Sequence, residues 1–384
     1  MSLLVTVTGP DHPGVTAGLF DALGGAEFSD VEQVVVHGRL LLGLVLEDDT
    51  DALRAAVSTA AAALAVDVEF TPLPDGETRA TGRHHVTVLG LPLPAGALAA
   101  VARRLASTGA NIESIRRLSR YPAASYELVV AGGDTASLRT GLAAEAVQQQ
   151  VDIAVEPASL YRRARRLVVM DVDSTLVQGE VIEMLAAEAG CEAEVARVTA
   201  AAMAGELDFE ESLRARVALL AGLPVAAVDR VRAAVQLTPG ARTLVRTLQR
   251  LGYAVGIVSG GFTAVTDDLV RELGLNHALA NVLEFVDGRL TGSVIGEVVD
   301  RKAKALALQR FAALEGLTLA QTVAIGDGAN DLDMLAVAGL GIAFNAKPVV
   351  RDAADAALSV PFLDAVLFLL GITREEIEAA DASG

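Results

Sequence analysis

The first part of the chain carries one pattern of apolar and polar positions twice. A short alternating segment that runs into a Gly/Pro turn occurs at Val5-Thr6-Val7, Gly9 and Pro13, and again at Val86-Thr87-Val88, Gly90 and Pro94. Such alternation predicts a strand, and the Ala/Leu-rich stretch that follows predicts a helix. The later predicted segments are Thr16–Gly24, Val31–Val36, Leu40–Leu46 and Val66–Phe70 in the first copy, and Ala97–Thr108, Ile112–Leu118, Ser125–Val130 and Val151–Val155 in the second. With a second helix in each copy, the order is βαββαβ, the ferredoxin-like unit.

From about Tyr161 the pattern changes to apolar runs that alternate with helical stretches. Such alternation predicts a mostly parallel sheet flanked by helices. The predicted strands are Arg166–Met170, Ala254–Val258, Thr322–Ile325 and Leu340–Ala343. The helical stretch of about residues 178–236 is too long for a simple crossover and is interpreted as a cap, and Asp287-Gly288 is a hairpin signal.

The predicted fold class is therefore α/β, with three domains. Two ferredoxin-like domains, residues 1–75 (the first repeat) and 84–156 (the second repeat), precede a Rossmann-like parallel-sheet domain with a helical cap, residues 166–372 (the C-terminal region). The tail after Glu375 is expected to be frayed.

The charge balance excludes some partners. The chain has 31 basic and 49 acidic residues, for a net charge of −18, which argues against a nucleic-acid partner. Its one basic run, Arg162 to Arg166, is interpreted as a solvated linker. The single cysteine excludes an intramolecular disulfide. No apolar run approaches membrane-spanning length and no signal peptide is recognised, so a cytoplasmic protein without a membrane partner is expected.

Polar clusters follow three of the predicted strands, at Asp171–Thr175, Ser259–Gly261 and Gly326–Asp331. Because ligands bind beyond the carboxyl ends of parallel strands, the three clusters are predicted to meet in one crevice. Asp, Ser and Gly also dominate helix caps and turns, which is the alternative for any single cluster. Three clusters in this order favour a functional site.

The carboxylates in these clusters suit phosphate chemistry with a hard cation. Asp171, Asp173 and Asp327 offer oxygen ligands without a nearby His or Cys, which favours Mg²⁺. Because a carboxylate can attack phosphorus directly, Asp171 is the predicted nucleophile. Asp173 is predicted to protonate the departing oxygen and later to activate water. Hydrogen bonds and positive charge for the phosphate are expected from Ser259, the Gly260 amide and Lys304.

The series DVDSTL, SGG, Lys304 and GDGAND resembles the four motifs of the haloacid-dehalogenase superfamily. The tighter similarity, over about Arg166 to Ile372, is to its phosphoserine phosphatase branch; it includes DVDSTLVQGEVIEMLA, MAGELDFEESLRARVALL, VSGGF and AIGDGANDLDML. The resemblance implies that phosphoserine is hydrolysed through an aspartyl-phosphate, in serine biosynthesis. The roles that it implies fall on Asp171 (nucleophile), Asp173 (acid/base), Asp327 (third Mg²⁺ ligand), Lys304 and Asn330, with substrate contacts from Glu180, Arg216, Ser259, Gly260, Met203 and Phe209.

The substrate's charges agree with two of these roles. Glu180 can meet the ammonium of phosphoserine, and Arg216 can meet the carboxylate as a planar fork. Mg²⁺ and Lys304 can meet the phosphate. The alternatives are a carboxylate in the first turn of a helix for Glu180 and a solvated cation for Arg216.

The two repeats resemble ACT domains, which are small amino-acid-binding regulatory modules. The first contains Thr8 to Gly14 (TGPDHPG), and the second the looser Leu89 to Gly96 (LGLPLPAG). Backbone amides at Gly9, Gly14, Gly90 and Gly96 are the candidate effector contacts, with serine as the expected effector. Paired modules of this kind commonly associate, so a homodimer is expected.

Two other functions remain open from the sequence. One is a relative that acts on another small phosphate or transfers the phosphoryl group to an alcohol. The other is an amino-acid sensor with a degenerate phosphatase domain, against which the intact Asp171, Asp173, Lys304 and Asp327 speak.

Overall fold

The computed structural model describes residues 2–74, 82–203 and 206–382. The chain forms two compact units, residues 1–79 and residues 80–384. Within the described ranges, none of the helices has the length and apolar character that crossing a membrane requires.

The first unit is a four-stranded antiparallel sheet with two helices. Its elements are β1 (Leu3–Pro10), α1 (Val15–Leu23), β2 (Phe28–Val36), β3 (Arg39–Leu46), α2 (Asp51–Ala63) and β4 (Asp67–Pro72). The strand order is β2-β3-β1-β4, which confirms the ferredoxin-like prediction. Alternate residues of β1 and β3, such as Val5 and Leu42, are buried, because successive side chains of a strand point to opposite faces. The edge strand β2 is exposed at every residue.

The second unit begins with the second repeat, which has the same order. Its elements are β5 (Arg83–Gly90), α3 (Ala95–Ser107), β6 (Asn111–Ser119), β7 (Ala124–Ala131), α4 (Thr135–Gln149) and β8 (Asp152–Pro157). They form a sheet of order β6-β7-β5-β8. One face, with Val86 and Val130, packs in a core with Leu105 and Leu142 of the two helices.

The C-terminal region follows within the same unit. Its elements, with the short helix that precedes it and the helix that follows it, are α5 (Leu160–Arg163), β9 (Leu167–Met170), α6 (Val181–Ala189), α7 (Glu192–Met203), α8 (Phe209–Ala218), α9 (Val225–Ala234), α10 (Ala241–Arg250), β10 (Ala254–Phe262), α11 (Thr263–Leu273), β11 (His277–Val286), β12 (Arg289–Ile295), α12 (Arg301–Leu314), β13 (Thr322–Gly326), α13 (Leu332–Val337), β14 (Leu340–Phe344), α14 (Pro348–Arg351), β15 (Ala356–Leu358), α15 (Val366–Leu369) and α16 (Arg374–Ala382).

These strands form one seven-stranded sheet of order β12-β11-β10-β9-β13-β14-β15. All neighbouring pairs are parallel except β11 and β12, which form the predicted hairpin. β9, β13 and β14 are buried at every residue, as expected for parallel strands covered on both faces. The predicted α/β class is thus confirmed, and β9 lies at the centre of the sheet.

The helices α6 to α9 are inserted between β9 and α10. The chain enters this cap near Gln178 and leaves it near Gln236. The two segments are joined by a hydrogen bond from the backbone N–H of Gln178 to Gln236 O, at 2.8 Å. At the far side, Gly222 N donates to Leu290 O of β12 at 2.8 Å. The two segments are therefore held together at the base of the cap, and its far side is hydrogen-bonded to β12.

Two local predictions were wrong. The segment Ser259–Gly261 lies inside β10 instead of after it, at a shift in the register with β11. The tail forms the helix α16, because Ile377 is buried and Asp381 pairs with Arg246 and Arg250 at 2.5 and 2.7 Å.

The sheet of the second repeat has one face covered by α3 and α4, and its other face packs against the C-terminal region. Leu89 and Leu118 on this face share one apolar core with Phe368 and Leu369. Within the same unit, β8 lies beside β15, and Ser359 N donates to Asp152 at 2.8 Å.

A buried ionic cluster completes this junction. Arg162 donates to Glu127 at 2.6 Å, and Arg165 pairs with Glu156. Arg165, Glu127 and Glu156 are each 5% exposed or less. The interpretation of Arg162 and Arg165 as part of a solvated linker was therefore wrong, because their carboxylate partners lie on the second repeat.

Candidate active site

Asp171 lies at the carboxyl end of β9, where its side chain is buried. The Nζ atom of Lys304, in the first turn of α12, donates to Asp171 Oδ1 at 2.7 Å. Lys304 is completely buried. Burial opposes its charge, but the carboxylates of Asp171 and Asp331 outweigh this effect and raise the pKa of Lys304. The structure therefore joins the predicted nucleophile to a permanent cation.

Asp331 is a member of this site that the sequence analysis left without a role. It is completely buried, and Lys304 Nζ donates to its Oδ1 at 2.7 Å. Its other oxygen accepts from Gly328 N at 3.0 Å. Its place at the end of the GDGAND segment, beside Asp327, is the signal that could have identified it.

Asp171, Asp327 and Asp331 together could hold a metal ion. In the ranges that the structure describes, each offers a carboxylate oxygen, and these atoms lie within 4.8 Å of one another. Burial, and then the charge of Asp331, raises the pKa of Asp327 to about 6. Burial, and then the same charge, raises the pKa of Asp171 well above its ordinary value, with Lys304 opposing. Three carboxylates around one ammonium leave excess negative charge, and an all-oxygen donor set of this kind suits a hard cation.

The side chain of Asp173 lies outside this group of oxygens. Its Oδ1 accepts from Val181 N at 2.8 Å, and its Oδ2 accepts from the Ser259 hydroxyl at 3.3 Å. Burial raises the pKa of Asp173. The structure thus places Asp173 beside Ser259, and its role as a metal ligand stays a prediction.

The turn that carries Asp173 has an unusual backbone. Ser174 has a φ of 58°, a left-handed conformation that non-glycine residues seldom adopt. Its N–H donates to Gly179 O at 3.0 Å, and its hydroxyl donates to Glu180 at 3.3 Å. The turn therefore holds Glu180 near the two aspartates of the motif. Strained positions of this kind cluster at functional sites.

Glu180 and Arg216 bring opposite charges to the cap side of the crevice. Burial, and then the charges of Asp173 and Asp327, raises the pKa of Glu180 to about 7. Burial lowers the pKa of Arg216, which the charges of Glu180 and Asp173 oppose. The Arg216 Nε donates to Ser212 O at 3.3 Å, and among the described residues no carboxylate lies within 4.0 Å of its guanidinium.

Two glycines of β10 are tightly enclosed. A Cβ atom on Gly261 would lie 2.7 Å from Asp173 Oδ2 and 2.9 Å from Ser259 Oγ. A Cβ atom on Gly260 would lie 3.1 Å from the ring of Phe209, the first residue of α8. Phe209 of the cap therefore covers the Ser259–Gly261 segment.

Two further predicted contacts can be located only in part. Asn330 lies in the short 3₁₀ turn Ala329–Asp331, and its side-chain oxygen is 2.2 Å from the place of a Cβ on Gly328. Met203 ends α7, but its side chain lies outside the described residues.

The four candidate effector glycines differ in their surroundings. Gly14 precedes α1 with a φ of 96° and has open space around it. Gly96 lies in the first turn of α3, also with nothing within 4 Å of its Cβ position. Gly9 is the residue before the last of β1, and Gly90 ends β5. A Cβ on them would lie 2.6 Å from Val66 and 2.8 Å from Pro92 O, respectively.

Comparison with known proteins agrees with this architecture. Residues 168–336 match the family of haloacid dehalogenase-like hydrolases, and residues 1–71 and 82–156 each match an ACT domain family. The chain is 62% identical to phosphoserine phosphatase of Streptomyces coelicolor, over 99% of this chain and 94% of that protein. It is 53% identical to phosphoserine phosphatase SerB2 of Mycobacterium tuberculosis, over 100% of this chain and 96% of that one. A solved phospho-aspartyl intermediate analogue of phosphoserine phosphatase superposes with a TM-score of 0.51 at 44% identity, over 53% of this chain and 98% of that chain.

Proposed function

The chain belongs to the phosphoserine phosphatase family, and on this premise we propose that it hydrolyses O-phosphoserine to serine and phosphate through a phosphoenzyme on Asp171. The observation that carries the proposal is the buried Asp171–Lys304 pair at 2.7 Å, with the Asp173–Ser259 pair beside it. This pairing presents one carboxylate as a fixed nucleophile and leaves a second for proton transfer.

The first step forms the phosphoenzyme. An Asp171 carboxylate oxygen bonds to phosphorus while the bond between phosphorus and the seryl oxygen breaks. Asp173 gives its proton to that oxygen, and serine leaves. Lys304 holds the attacking carboxylate in place and stabilises the charge on the transferring group.

The second step regenerates the enzyme. Asp173, now ionised, takes a proton from water, and the water oxygen attacks the phosphorus of the acyl phosphate. The bond between phosphorus and Asp171 breaks, and inorganic phosphate leaves. Hydrogen bonds to the phosphate oxygens come from the Gly260 amide and Asn330. Ser259, whose hydroxyl donates to Asp173 Oδ2 in this structure, is retained as a further predicted substrate contact.

The metal of this site is Mg²⁺ in our proposal. Asp171, Asp327 and Asp331 fit this ion because each offers a carboxylate oxygen and these oxygens lie within 4.8 Å of one another. Asp173 is retained as a predicted ligand. Mg²⁺, when bound, supplies positive charge that offsets the repulsion between these carboxylates and the substrate phosphate.

The cap selects the amino-acid part of the substrate. Glu180 receives the ammonium and Arg216 the carboxylate, since each is largely buried and lacks an ion-pair partner among the described residues. Phe209, which lies over Gly260, and Met203 contribute apolar contacts. The ammonium of phosphoserine would then pair with Glu180, and its carboxylate would pair with Arg216. These two ion pairs favour phosphoserine over phosphates whose organic part is uncharged.

The test compares phosphoserine, phosphothreonine and 4-nitrophenyl phosphate with Mg²⁺ and with a chelator. We expect phosphoserine to have the highest kcat/KM, and activity to disappear in the chelator and return with Mg²⁺. A preference for the aryl phosphate would indicate another small-molecule phosphatase. Phosphate appearing on an added alcohol would indicate a phosphotransferase, and no turnover of any substrate would indicate a sensor.

The two ACT domains suggest regulation, and the proposal assigns them serine as effector, bound near Gly9 and Gly14 or near Gly90 and Gly96. The glycines with open surroundings, Gly14 and Gly96, leave space beside their backbone amides. Feedback by serine would match a biosynthetic phosphatase that releases serine. In this proposal the first repeat (1–75) and the second repeat (84–156) are the sensing domains and residues 166–372 are the catalytic domain. A cytoplasmic location fits this role and stays a prediction.

A homodimer is the proposed assembly, formed through the edge strand β2. This strand carries exposed apolar side chains, among them Val34 and Val36, which are 53% and 49% exposed. An open edge with unpaired backbone groups is a template for pairing with another strand. Pairing of two β2 strands would extend the sheet and cover these residues. Sedimentation of the full chain would test it, with Val34→Lys expected to yield monomers.

A further inference from the structure

Asn281 is a buried polar residue of β11 to which neither the motifs nor the proposed mechanism assigns a role. It is 1% exposed. Its side-chain amide donates to Gly260 O at 2.8 Å, and its Oδ1 accepts from Val299 N at 2.8 Å. Both groups of this amide are therefore bound to backbone, in two different segments of the active site.

The first of these bonds fixes the peptide between Gly260 and Gly261. In a planar trans peptide the C=O and the N–H point in opposite directions. Asn281 holds the carbonyl on one side, so the Gly261 N–H points to the other, where it donates to Ser259 Oγ at 2.7 Å. Because glycines have little intrinsic preference between backbone conformations, the side chain of Asn281 supplies the constraint that their sequence lacks.

The orientation of this peptide determines what the Ser259 hydroxyl can do. Its oxygen accepts from Gly261 N, so its own hydrogen is free to donate to Asp173 Oδ2, 3.3 Å away. If the peptide turned over, the Gly261 N–H would leave Ser259, and the hydroxyl could rotate away from Asp173. A chain of three hydrogen bonds thus runs from Asn281 to the proposed acid/base.

The second bond of Asn281 reaches the segment that leads to Lys304. Val299 immediately precedes Asp300, which caps α12 by accepting from Ala303 N at 2.8 Å. Lys304 lies in the first turn of that helix. Asn281 therefore ties the Ser259–Gly261 segment to the start of the helix that carries the cation.

We propose that Asn281 is a positioning residue that holds the Gly260–Gly261 peptide so that the Ser259 hydroxyl is aimed at Asp173. The inference rests on the proposed function, since it concerns proton delivery by Asp173 to the seryl oxygen. Asn281 touches neither substrate nor the reacting atoms. Its effect should therefore depend on how much the leaving group needs a proton.

The test replaces Asn281 in the full chain and compares two leaving groups. Asn281→Ala removes both hydrogen bonds, and Asn281→Leu removes them while refilling the space. The measurement is kcat/KM for phosphoserine, whose alkoxide needs a proton, and for 4-nitrophenyl phosphate, whose phenolate needs little. Because kcat/KM covers the steps through departure of the leaving group, it excludes the later hydrolysis of the phosphoenzyme and includes only the first proton transfer. The ratio of the two values is independent of how much of the preparation is folded.

Asn276 supplies a matched control. Its Oδ1 accepts from Val255 N at 2.9 Å, near the opposite end of β10. Asn276→Ala therefore removes an asparagine-to-backbone bond on the same strand without touching the Ser259–Gly261 segment. It should leave the ratio of the two kcat/KM values unchanged.

We expect both Asn281 variants to lose about 10- to 100-fold in kcat/KM for phosphoserine, the scale for a misplaced acid/base. The loss for 4-nitrophenyl phosphate should be at least about tenfold smaller. Equal losses on the two substrates, or a ratio that matches that of Asn276→Ala, would overturn the positioning role. Failure of the wild-type chain to hydrolyse phosphoserine would instead overturn the proposed function, so the two failures are distinguishable.

Discussion

At the scale of single residues, the site is organised around one buried ammonium. Lys304 Nζ contacts both Asp171 and Asp331 at 2.7 Å, and no part of its side chain is exposed. A buried charge shared by two carboxylates is costly to desolvate and contributes little net stability. Its benefit is geometric, because it fixes the carboxylate of Asp171, the proposed nucleophile, before substrate arrives.

Asp171→Asn should abolish turnover and leave no phosphoenzyme, because an amide is not a nucleophile towards phosphorus. Asp173→Asn should slow both leaving-group departure and hydrolysis, by about a hundred- to ten-thousand-fold, the range for a lost general acid–base. Trapping ³²P-phosphate from labelled substrate, followed by peptide mapping, measures the first effect. Label on a residue other than Asp171 would contradict the mechanism.

Arg216→Ala should discriminate between substrates. In this variant the carboxylate of phosphoserine loses its partner. Transition-state binding, measured through kcat/KM for phosphoserine, should therefore weaken by about 2–4 kcal/mol, the scale for truncating one member of a desolvated charge pair. It should barely affect 4-nitrophenyl phosphate, which has no carboxylate. The control is Arg214→Ala in the same helix, since Arg214 is exposed and pairs with Glu210 at 2.7 Å. Equal losses on both substrates would mean that Arg216 supports the fold or the phosphate site.

The aspartates of the proposed site could be predicted because each stands in a short motif after an apolar strand, whereas Lys304 lies in the helix α12. Asp171 and Asp327 end buried parallel strands, and the geometry of such sheets brings those ends together. The partners could not be predicted. Asn281 stands in a strand with no motif around it, and its bond to Gly260 depends on the register shift between β10 and β11, which the sequence does not display.

At the scale of elements, β10 shows how a strand can carry residues of the proposed active site. Ser259 to Gly261, between the pairs Val258–Leu279 and Phe262–Asn281, leave regular pairing with β11. This irregularity lets Ser259 point at Asp173 while Gly260 faces Phe209 of the cap. The strand predicted from the sequence ends at Val258, because glycine pairs ordinarily mark turns.

Gly261→Ala should impair catalysis more than Gly260→Ala. The new methyl group at Gly261 would lie 2.7 Å from Asp173 Oδ2, whereas at Gly260 it meets the end of the Phe209 ring at 3.1 Å. An aromatic ring on the cap can shift, but Asp173 cannot move without losing its bond to Val181 N. We expect about a hundredfold loss of kcat for Gly261→Ala, the cost of displacing a catalytic group by about 1 Å. Steady-state kinetics measure it, and a larger loss for Gly260→Ala would contradict the geometry.

At the scale of the whole molecule, the second repeat and the C-terminal region share a buried boundary. Glu127 lies in β7, and its partners Arg162 and Arg116 lie in α5 and β6. The sequence could not reveal this boundary, because a run of arginines looks the same whether water or a distant carboxylate faces it. The repeat pattern predicted the two ferredoxin-like folds but not which sheet face would be covered.

The Glu127 cluster should make stability depend on pH in the acid range. Burial opposes its charge, but His85, whose Nδ1 lies 3.3 Å from Glu127 Oε1, and the charges of Arg162 and Arg116 prevail and lower the pKa of Glu127 to about 2. A carboxylate with a depressed folded-state pKa stabilises above its unfolded pKa and loses this contribution as pH falls towards its folded value. The contribution, up to about 3 kcal/mol at neutral pH, should therefore disappear between about pH 4.5 and 2.

Urea unfolding of wild type and Glu127→Gln at pH 7 and pH 3 measures this contribution. The difference in unfolding free energy should shrink at pH 3, because the Glu127 carboxyl of the unfolded chain is largely protonated there while that of the folded protein, with a pKa of about 2, stays mostly ionised. Glu113→Gln is the control, because Glu113 pairs with Arg83 at a more exposed site. A difference that stays constant between the two pH values would contradict an ionic role for Glu127.

Regulation can be tested by deleting the first unit, residues 1–79. Deletion of both repeats would expose Leu89's apolar partners, Phe368 and Leu369, and leave Arg165 without Glu156, so loss of activity could follow from misfolding alone. Residues 80–384 form a compact unit that keeps this boundary intact, and catalysis is expected to survive. If serine acts through the first repeat, the shortened chain should need at least about tenfold more serine for half inhibition, within the usual range of coupling between sites.

Gly96→Phe in the full chain tests the second repeat separately, because the Cβ position of Gly96 is open and its backbone suits any residue. Gly14 is less suitable, because its φ would strain any replacement. Inhibition kinetics at varied phosphoserine decide the matter: serine that competes with substrate, with unchanged potency in both variants, would place the inhibitor in the active site and remove the sensing role from the repeats.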